Sequence, residues 1–377
     1  MNKIMLKKRG FNFFLFAGIG SILPLIGVYL KNELNFSGYK IGIIISTQPL
    51  FSFFAQILTG YIIDKTKVIR YLMFLYSVLT ILFSFLLYHI NEFTTFLVIY
   101  GLYSLSTSSL ILINNIGIIE SDDIKNFGKI RVFGSIGFLI SAGITPLIIK
   151  DLRNNIFLLS AIFSCIVIFF INSYPKYKPI KEKPKILLKE LIVPDFWVIL
   201  GITFIFQISY ASLDTFLSIL INSLGYSDRY IGIAWVIGVV SELPVMYFTD
   251  KIIKKIGILW FIMIGIISGL IRWTGYYLSN NITPIFILQT LHSFTFSALY
   301  NGGIYLSHKL FSEKLVAIGQ SLYDSFSRIL GYFLGIIIMG IIYEKSGVKQ
   351  VFLLSSILSF ISLSLLTIYM YKRKKRT

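Results

Sequence analysis

Cysteine and charge are both scarce in this sequence of 377 residues. Cys165 is the only cysteine, which excludes an internal disulfide and a cysteine metal cluster. Charged residues make up 14% of the chain, against about 25% in an average soluble domain. The sequence has no G-x-x-x-x-G-K-[ST] loop, nucleophile triad, metal cluster or cofactor motif. We therefore expect neither ATP hydrolysis nor another enzyme activity, and we expect no cofactor.

Apolar sequence is abundant instead: hydrophobic residues make up 56% of the chain, and the mean hydropathy is +0.79. Apolar runs of about 20 residues, long enough to cross a bilayer as a helix, recur along the chain. The alternation typical of a transmembrane barrel is absent, which leaves helices as the spanning structure. We predict an all-α integral membrane protein with twelve spans, at roughly 10–30, 41–63, 70–90, 93–117, 127–149, 155–173, 194–222, 230–249, 257–278, 283–305, 315–342 and 350–371.

The net charge is +18, and the basic residues are distributed along the chain as the predicted topology requires. Of the 35 lysines and arginines, 25 fall in alternate segments that include both chain ends, and 7 fall in the remaining loops. The positive-inside rule therefore predicts a multi-pass cell-membrane protein, in bacterial terms of the inner membrane, with both termini in the cytoplasm. The basic excess would attract anionic lipid, and it does not indicate nucleic-acid binding.

A basic, proline-containing stretch at 173–193 separates six predicted spans from six more. We predict an N-terminal bundle at 1–172, a cytoplasmic linker at 173–193 with a short interfacial helix near 186–191, and a C-terminal bundle at 194–377. Similar segments, "GYIIDKTK" at 60–67 and "MYFTDKIIKK" at 246–255, end the second and eighth spans. Their spacing supports an internal duplication of the kind found in transporters.

Several stretches resemble the major facilitator superfamily, and more closely its lactose permease branch, which includes the phenylpropionate-permease-like group. "FNFFLFAGIGSILPLIGVYL" and "IGIIISTQPLFSFFAQILTGYIIDK" resemble the first two spans of that branch, and "FGKIRVFGSIGF" resembles its fifth-span motif. "GYSDRYIGIAWVIGVVSELPVMYF" is similar to the eighth span of the phenylpropionate group, and "LQTLHSF" to the tenth span of lactose permease. The resemblance implies two pseudo-symmetric six-helix bundles around a central cavity, alternating access, and secondary transport commonly coupled to protons.

The superfamily's loop motif matches a small set of residues at the ends of the second and eighth spans. We expect a gating role for these residues, which are Gly60, Asp64, Lys65, Asp250 and Lys251.

Arg70 and Lys129 stand in the first turns of their spans and are counted with the cytoplasmic segments. This leaves three basic residues inside the predicted spans, namely Arg131, Arg272 and Arg328. Such residues are costly in hydrocarbon and are functional candidates. The helix face that follows Arg131 is small and polar, which suits a water-filled cavity or close helix packing. The resemblance places a substrate-binding arginine at Arg131. The sequence leaves two candidates for the partner of Arg131, namely Glu242 and the substrate itself.

The branch has a carboxylate on span 4, where this chain has Asn114 and Asn115, with Glu120 nearer the membrane edge. Phe138 replaces the tryptophan on which lactose permease stacks a sugar. Both departures weaken the case for a sugar. An Arg131 without its usual acid favours a substrate that carries its own negative charge. We predict a substrate site of Arg131, Phe138, Glu242, Asn115, Gln207 and Tyr210.

Three titratable residues are candidates for proton coupling: Glu242, Asp214 and His292. The branch has a basic residue where this chain has Gln289 and an acid where it has Thr295, so that coupling site does not carry over whole. Asp324 and Arg328 stand four residues apart on one helix and can pair, although the resemblance also allows an Asp214–Arg328 pair. We place Asp324, Arg328 and Arg272 in a structural charge network, with no partner for Arg272 evident.

These observations predict a monomeric transporter that takes up a small organic acid together with protons. An aromatic acid is the first candidate. The alternatives are a proton-coupled sugar or nucleoside symporter, an exporter of amphipathic compounds, and a membrane sensor that does not transport.

Overall fold

The computed structural model of the chain describes residues 3–66, 68–119, 127–149, 155–176, 188–312 and 315–375. Within these ranges the regular structure is helical and no strand is present, which confirms the predicted all-α fold. Eleven helical segments of the described residues are long and apolar enough to cross a membrane. The chain divides into two compact units, Met1–Glu182 with Ser227–Val236, and Lys183–Tyr226 with Ile237–Thr377.

The first unit contains seven α-helices and the start of an eighth. The seven are α1 (Lys3–Ile22), α2 (Ile26–Asn32), α3 (Gly38–Thr66), α4 (Arg70–His89), α5 (Phe93–Ile119), α6 (Phe127–Ile148) and α7 (Asn155–Ile168).

Two of these elements differ from the predicted spans. The first span is interrupted at Leu23–Leu25, because Pro24 has no N–H to donate within a helix. The sixth span, predicted at 155–173, is a 14-residue helix, α7, followed after a turn by a short 3₁₀ helix at Ile171–Ser173. At 1.5 Å per residue α7 is about 21 Å long, shorter than the bilayer's hydrocarbon core of about 30 Å.

Helices α1 and α6 pack backbone to backbone. A Cβ atom at Gly137 would overlap the Phe13 carbonyl group, and one at Gly20 would lie 2.6 Å from the Phe138 carbonyl oxygen. Glycine is therefore required at both positions. This contact fixes α6, and with it Arg131, against α1.

A buried polar contact ties the chain after α7 to the first unit. Asn12 and Asn114 exchange two hydrogen bonds, and the Tyr174 hydroxyl donates to Asn114 Oδ1 at 2.6 Å. Arg70 Nε donates to the Tyr174 carbonyl oxygen, also at 2.6 Å. The start of the predicted linker is thus part of this packing. Lys8, which the topology count assigns to the N-terminal cytoplasmic segment, is buried, and its Nζ lies 5.9 Å from the centroid of the Tyr174 ring.

The second unit begins within the predicted linker. Residues 177–187 lie outside the described part. Where a short interfacial helix was predicted near 186–191, the described residues Leu188–Leu191 form a 3₁₀ helix. The α-helices are α8 (Pro194–Tyr210), α9 (Ser212–Ser223), α10 (Asp228–Ile256), α11 (Ile258–Leu278), α12 (Ile282–Gln289), α13 (His292–Leu310), α14 (Val316–Tyr323), α15 (Tyr332–Ser346) and α16 (Val348–Lys374).

Three predicted spans of this unit are irregular. The seventh is interrupted at Ala211 and the tenth at Thr290–Leu291, directly before His292. In the eleventh, Asp324–Gly331 forms a π-helix between α14 and α15. Departures from α-helix of this kind are frequent at functional sites, because they re-aim side chains and free backbone groups. Each of the three lies next to a residue predicted for the site.

Candidate functional site

Polar side chains from α8, α10, α11, α12 and α13 meet in the interior of the second unit. Arg272, Tyr276 and Thr295 are fully buried, Gln289, His292 and Tyr210 nearly so, and Glu242 is partly buried. We call this set the buried polar cluster; it consists of Tyr210, Glu242, Arg272, Tyr276, Gln289, His292 and Thr295. The titratable members lie within predicted spans, where polar side chains are confined to protein interiors and cavities.

Glu242 and His292 form the acidic end of the cluster. Oε1 of Glu242 lies 2.6 Å from Nε2 of His292, and the two side chains are 12% and 6% exposed. Gly238, one turn before Glu242 on α10, faces the imidazole, and a Cβ there would stand 3.3 Å from His292 Cδ2. The absence of a side chain at 238 lets α10 approach α13 closely enough for this contact.

Arg272 forms the basic end. Its Nη1 donates to Thr295 Oγ1 at 2.6 Å and lies 3.3 Å from His292 Nδ1. Its Nη2 donates to Gln289 Oε1 at 2.5 Å, and the guanidinium carbon lies 4.8 Å from the Trp273 ring centroid. These contacts supply the partners that the sequence did not reveal. Gln289 and Thr295, the two departures from the lactose permease pattern, both accept hydrogen bonds from this arginine.

The contacts of His292 specify its tautomer. A guanidinium can only donate, so Nδ1 of His292 accepts from Arg272 and carries no proton. Nε2 therefore carries the ring proton and donates it to Glu242. The arrangement places a guanidinium, an imidazole and a carboxyl group in series, so Arg272 and Glu242 are joined through the ring.

Aromatic rings cover the imidazole. Tyr210 stacks on His292 with centroids 6.2 Å apart, and Phe296 stacks with centroids 5.9 Å apart. The Tyr210 hydroxyl also lies 3.4 Å from Nδ1. These rings limit the access of water to the Glu242–His292 contact, which strengthens its electrostatics.

Asp214 does not bind an arginine in the described contacts. Its Oδ2 accepts a hydrogen bond of 2.5 Å from the Tyr332 hydroxyl of α15. Gln207 lies two turns before Asp214, and its buried Oε1 has no hydrogen-bond partner among the described residues. Asp214 and Gln207 therefore stay candidates for proton and substrate contacts respectively.

Arg328 pairs with Asp324, and this is the first of the two pairings that the sequence left open. Nη1 of Arg328 lies 3.1 Å from Asp324 Oδ1, and the side chains are 33% and 50% exposed. The guanidinium carbon of Arg328 also lies 4.8 Å from the Tyr300 ring centroid. Both charged residues belong to the π-helix.

Arg131 lies in the first unit, half-buried on α6. Its guanidinium carbon is 3.9 Å from the centroid of Phe16 on α1, a close cation–π contact. Gly134 lies beside both groups, since a Cβ there would meet Arg131 Nη1 and the Phe16 ring. The small residues that follow Arg131 thus serve helix packing at this end, and Phe16 is a neighbour that the sequence did not indicate.

The other predicted substrate residues of the first unit have separate surroundings. Asn114 is engaged by Asn12 and Tyr174, whereas the buried Oδ1 of Asn115 has no hydrogen-bond partner among the described residues. Phe138 makes an edge contact with Trp235, whose ring centroid is 5.9 Å away. Glu120 lies outside the described residues.

The loop-motif residues lie in the last turns of α3 and α10. Gly60 has open space where a Cβ would stand, and Lys65 is exposed. The Asp64 side chain is not among those that the structure describes. In α10, Asp250 contacts Lys254 at 2.6 Å and accepts from the Tyr305 hydroxyl at 3.3 Å, while Nζ of Lys251 lies 5.4 Å from the Phe248 ring. A gating role for these residues stays a prediction.

The partners of Arg272 came from parts of the sequence that are far apart. Tyr276 is its i+4 neighbour, and helical spacing could have indicated it. Gln289, His292 and Thr295 stand 17 to 23 residues further on, beyond a loop, and no local pattern links them to α11. Among the described residues, no three His, Cys, Asp or Glu side chains group so as to hold a metal ion.

Residues 5–354 match the model of the MFS_1 like family. Relatives include the uncharacterized transporter YwbF of Bacillus subtilis (strain 168), 27% identical over 97% of this chain and 93% of that protein. Maltose permease of Geobacillus stearothermophilus is 23% identical over 97% and 94%. A probable 3-phenylpropionic acid transporter of Escherichia coli (strain K12) is 25% identical over 46% and 48%. Among solved structures, the nucleoside transporter NupG shares the fold, with a TM-score of 0.82 at 19% identity over 98% of this chain and 99% of that one.

Proposed function

Since the chain belongs to the MFS_1 like family and is a multi-pass membrane secondary transporter, we propose that it couples uptake of a small organic acid to protons. The observation that carries the proposal is the Glu242–His292 contact, with its link to Arg272 through the same imidazole. The topology with both termini in the cytoplasm belongs to this proposal, because the charge distribution favours it.

A proton taken up by the cluster changes its hydrogen bonds. A neutral Glu242 can still accept from Nε2–H of His292 through its carbonyl oxygen, so that contact persists but loses its charge assistance. A proton on Nδ1 of His292 would instead face a nitrogen of Arg272 that can only donate, which breaks the His292–Arg272 contact. The first contact joins α10 to α13 and the second joins α11 to α13, so proton loading weakens a contact between helices in either case.

The substrate class follows from Arg131 and its surroundings. A guanidinium binds carboxylate in a bidentate manner, and its contact with the Phe16 ring orients it for that purpose. The rings of Phe16, Phe138 and Trp235 offer apolar surface for the body of the acid. The relative named as a probable 3-phenylpropionic acid transporter supports an aromatic carboxylate.

A second candidate substrate is a neutral sugar or nucleoside. The buried side-chain oxygens of Gln207 and Asn115 have no partner among the described residues, and buried acceptors of this kind favour ligands with hydroxyl or amino donors. A relative named as a maltose permease also supports this candidate. Under either candidate the proton site is the same.

The test is uptake into proteoliposomes under an imposed inward proton gradient, after a thermal-shift screen of aromatic acids, sugars and nucleosides. We expect aromatic acids to stabilise the protein and to accumulate. Glu242→Gln should abolish accumulation while retaining exchange of labelled for unlabelled substrate. Glu190→Gln, which changes an exposed carboxylate before α8, serves as the matched control. Accumulation by Glu242→Gln at the wild-type level would refute the proton site.

A further inference from the structure

A groove runs along the outside of the second unit between α8 and α16. It has a volume of about 760 Å³, within the roughly 300–1,000 Å³ of small-molecule sites. Its wall on α8 extends from Pro194 to Ile205, which is about 17 Å at 1.5 Å per residue. The groove therefore runs along the helix axes, as an acyl chain does in a bilayer.

The groove is apolar along its length and basic at one end. The apolar wall comprises Val198, Ile202, Ile205, Leu365 and Ile368, with Trp197 nearer the basic end. Lys372 and Arg373 line that end, and Lys374 and Lys375 follow in the chain. Trp197 donates its indole N–H to the Leu191 carbonyl oxygen, and indole rings favour the headgroup level of a membrane.

Gly201 leaves the groove open. No atom lies within 4 Å of the position that its Cβ would occupy, so a side chain there would project into empty space. Asp195 is the groove's carboxylate, and its Oδ2 lies 3.9 Å from Arg373 Nη2. The basic end thus has two cations and one anion, which leaves a net positive charge.

We propose that this groove binds an anionic phospholipid, with the acyl chain along Gly201 and the phosphate at Lys372 and Arg373. Basic pockets between membrane helices bind anionic headgroups by the same chemistry. Charge complementarity selects the headgroup, and the apolar wall selects a lipid over a free phosphate. The inference is independent of the transported substrate.

The test is native mass spectrometry of the full-length protein in detergent, titrated with palmitoyl-oleoyl phosphatidylglycerol or with phosphatidylcholine of the same chains. We expect phosphatidylglycerol to bind more tightly than phosphatidylcholine, and we expect inorganic phosphate not to bind. The double variant Lys372→Gln, Arg373→Gln should weaken phosphatidylglycerol binding by roughly 10- to 30-fold, at about one kilocalorie per basic residue. Asp195→Asn should strengthen it.

Two matched controls separate the groove from general surface charge. Lys374→Gln with Lys375→Gln removes the same charge from the next two residues and should have a smaller effect. Gly201→Leu should reduce binding of both lipids, whereas Gly128→Leu, at another exposed helical glycine with open space, should not. Melting temperatures check that each variant is folded. Equal binding of the two lipids by the wild type would overturn the proposal. So would an equal loss of phosphatidylglycerol binding in the Lys372→Gln, Arg373→Gln variant and in the Lys374→Gln, Lys375→Gln variant.

Discussion

The side-chain oxygen of Gln289 accepts a hydrogen bond from Nη2 of Arg272 at 2.5 Å, and neither side chain is more than 2% exposed. The same oxygen accepts from the Tyr276 hydroxyl at 2.8 Å. An amide therefore satisfies a buried guanidinium here without adding a charge. The lactose permease branch has a basic residue at this position, which would place two cations side by side.

Gln289→Lys should destabilise the protein, because it sets a second cation against Arg272 Nη2. A buried charge left without its partner costs about 3–5 kcal/mol. Gln289→Glu keeps an acceptor oxygen and should melt close to the wild type in detergent. A Gln289→Lys variant as stable as Gln289→Glu would show that Arg272 does not determine the residue at 289.

His292→Asn and His292→Gln should separate the two contacts of the imidazole. Asparagine keeps an acceptor near the Nδ1 position for Arg272, and glutamine reaches toward the Nε2 position and Glu242. Both variants should lose proton-driven accumulation, since neither side chain titrates. His292→Asn should have the higher melting temperature, because it leaves the fully buried guanidinium paired. The reverse order of melting temperatures would show that the pairing of Arg272 is not the larger contribution of His292 to stability.

Phe16→Leu should weaken substrate binding through Arg131. A cation–π contact contributes about 0.5–2 kcal/mol, so KM for a carboxylate substrate should rise by roughly 2- to 30-fold. Phe14→Leu, on the same helix but packed against Phe163 and Phe170, should leave KM unchanged. Equal KM values for the two variants would exclude an orienting role for Phe16.

The Asp324–Arg328 ion pair of the π-helix and the hydrogen bond from Tyr332 to Asp214 should contribute differently to the free energy of unfolding. Asp324→Asn and Arg328→Gln should each change the free energy of unfolding by less than about 1 kcal/mol, because their partly exposed ion pair is screened. Tyr332→Phe removes a hydrogen bond to a carboxylate and should cost about 1.5–3 kcal/mol. Detergent-titration unfolding measures both. A larger cost at Asp324 than at Tyr332 would assign the structural role to the π-helix pair.

Glu92 should stabilise the start of α5 in a pH-dependent way. Its carboxylate accepts from the backbone N–H groups of Thr95 and Thr94, and these bonds lower its pKa from 4.5 to about 2. Since the folded pKa is depressed, the contribution is present above pH 4.5 and is lost as the pH falls toward 2. The melting temperature of the wild type should exceed that of Glu92→Gln at pH 7 and approach it below pH 4. A difference independent of pH would refute the assignment.

Local sequence was sufficient to predict most of the spanning helices and to identify the candidate functional residues. Apolar runs of sufficient length predicted eleven of the spans, because a bilayer leaves helices as the way to satisfy the backbone. Charge in such a run is costly, so Glu242, Arg272 and His292 were identifiable as candidates before any contact was known. Pro24 likewise could have predicted the break after α1.

Only the tertiary structure decided how those residues combine. Glu242, Arg272 and His292 stand on three helices, and the 2.6 Å and 3.3 Å contacts between them arise from helix packing that no local periodicity specifies. The break before His292 and the π-helix at Asp324–Gly331 also depend on what packs beside them. The sequence by itself determined that this is a helical membrane protein with charges inside its spans, because burial and hydrogen bonding act on each segment separately. The arginine–imidazole–carboxylate series was decided by tertiary structure, because it depends on side chains from helices that are distant in the chain.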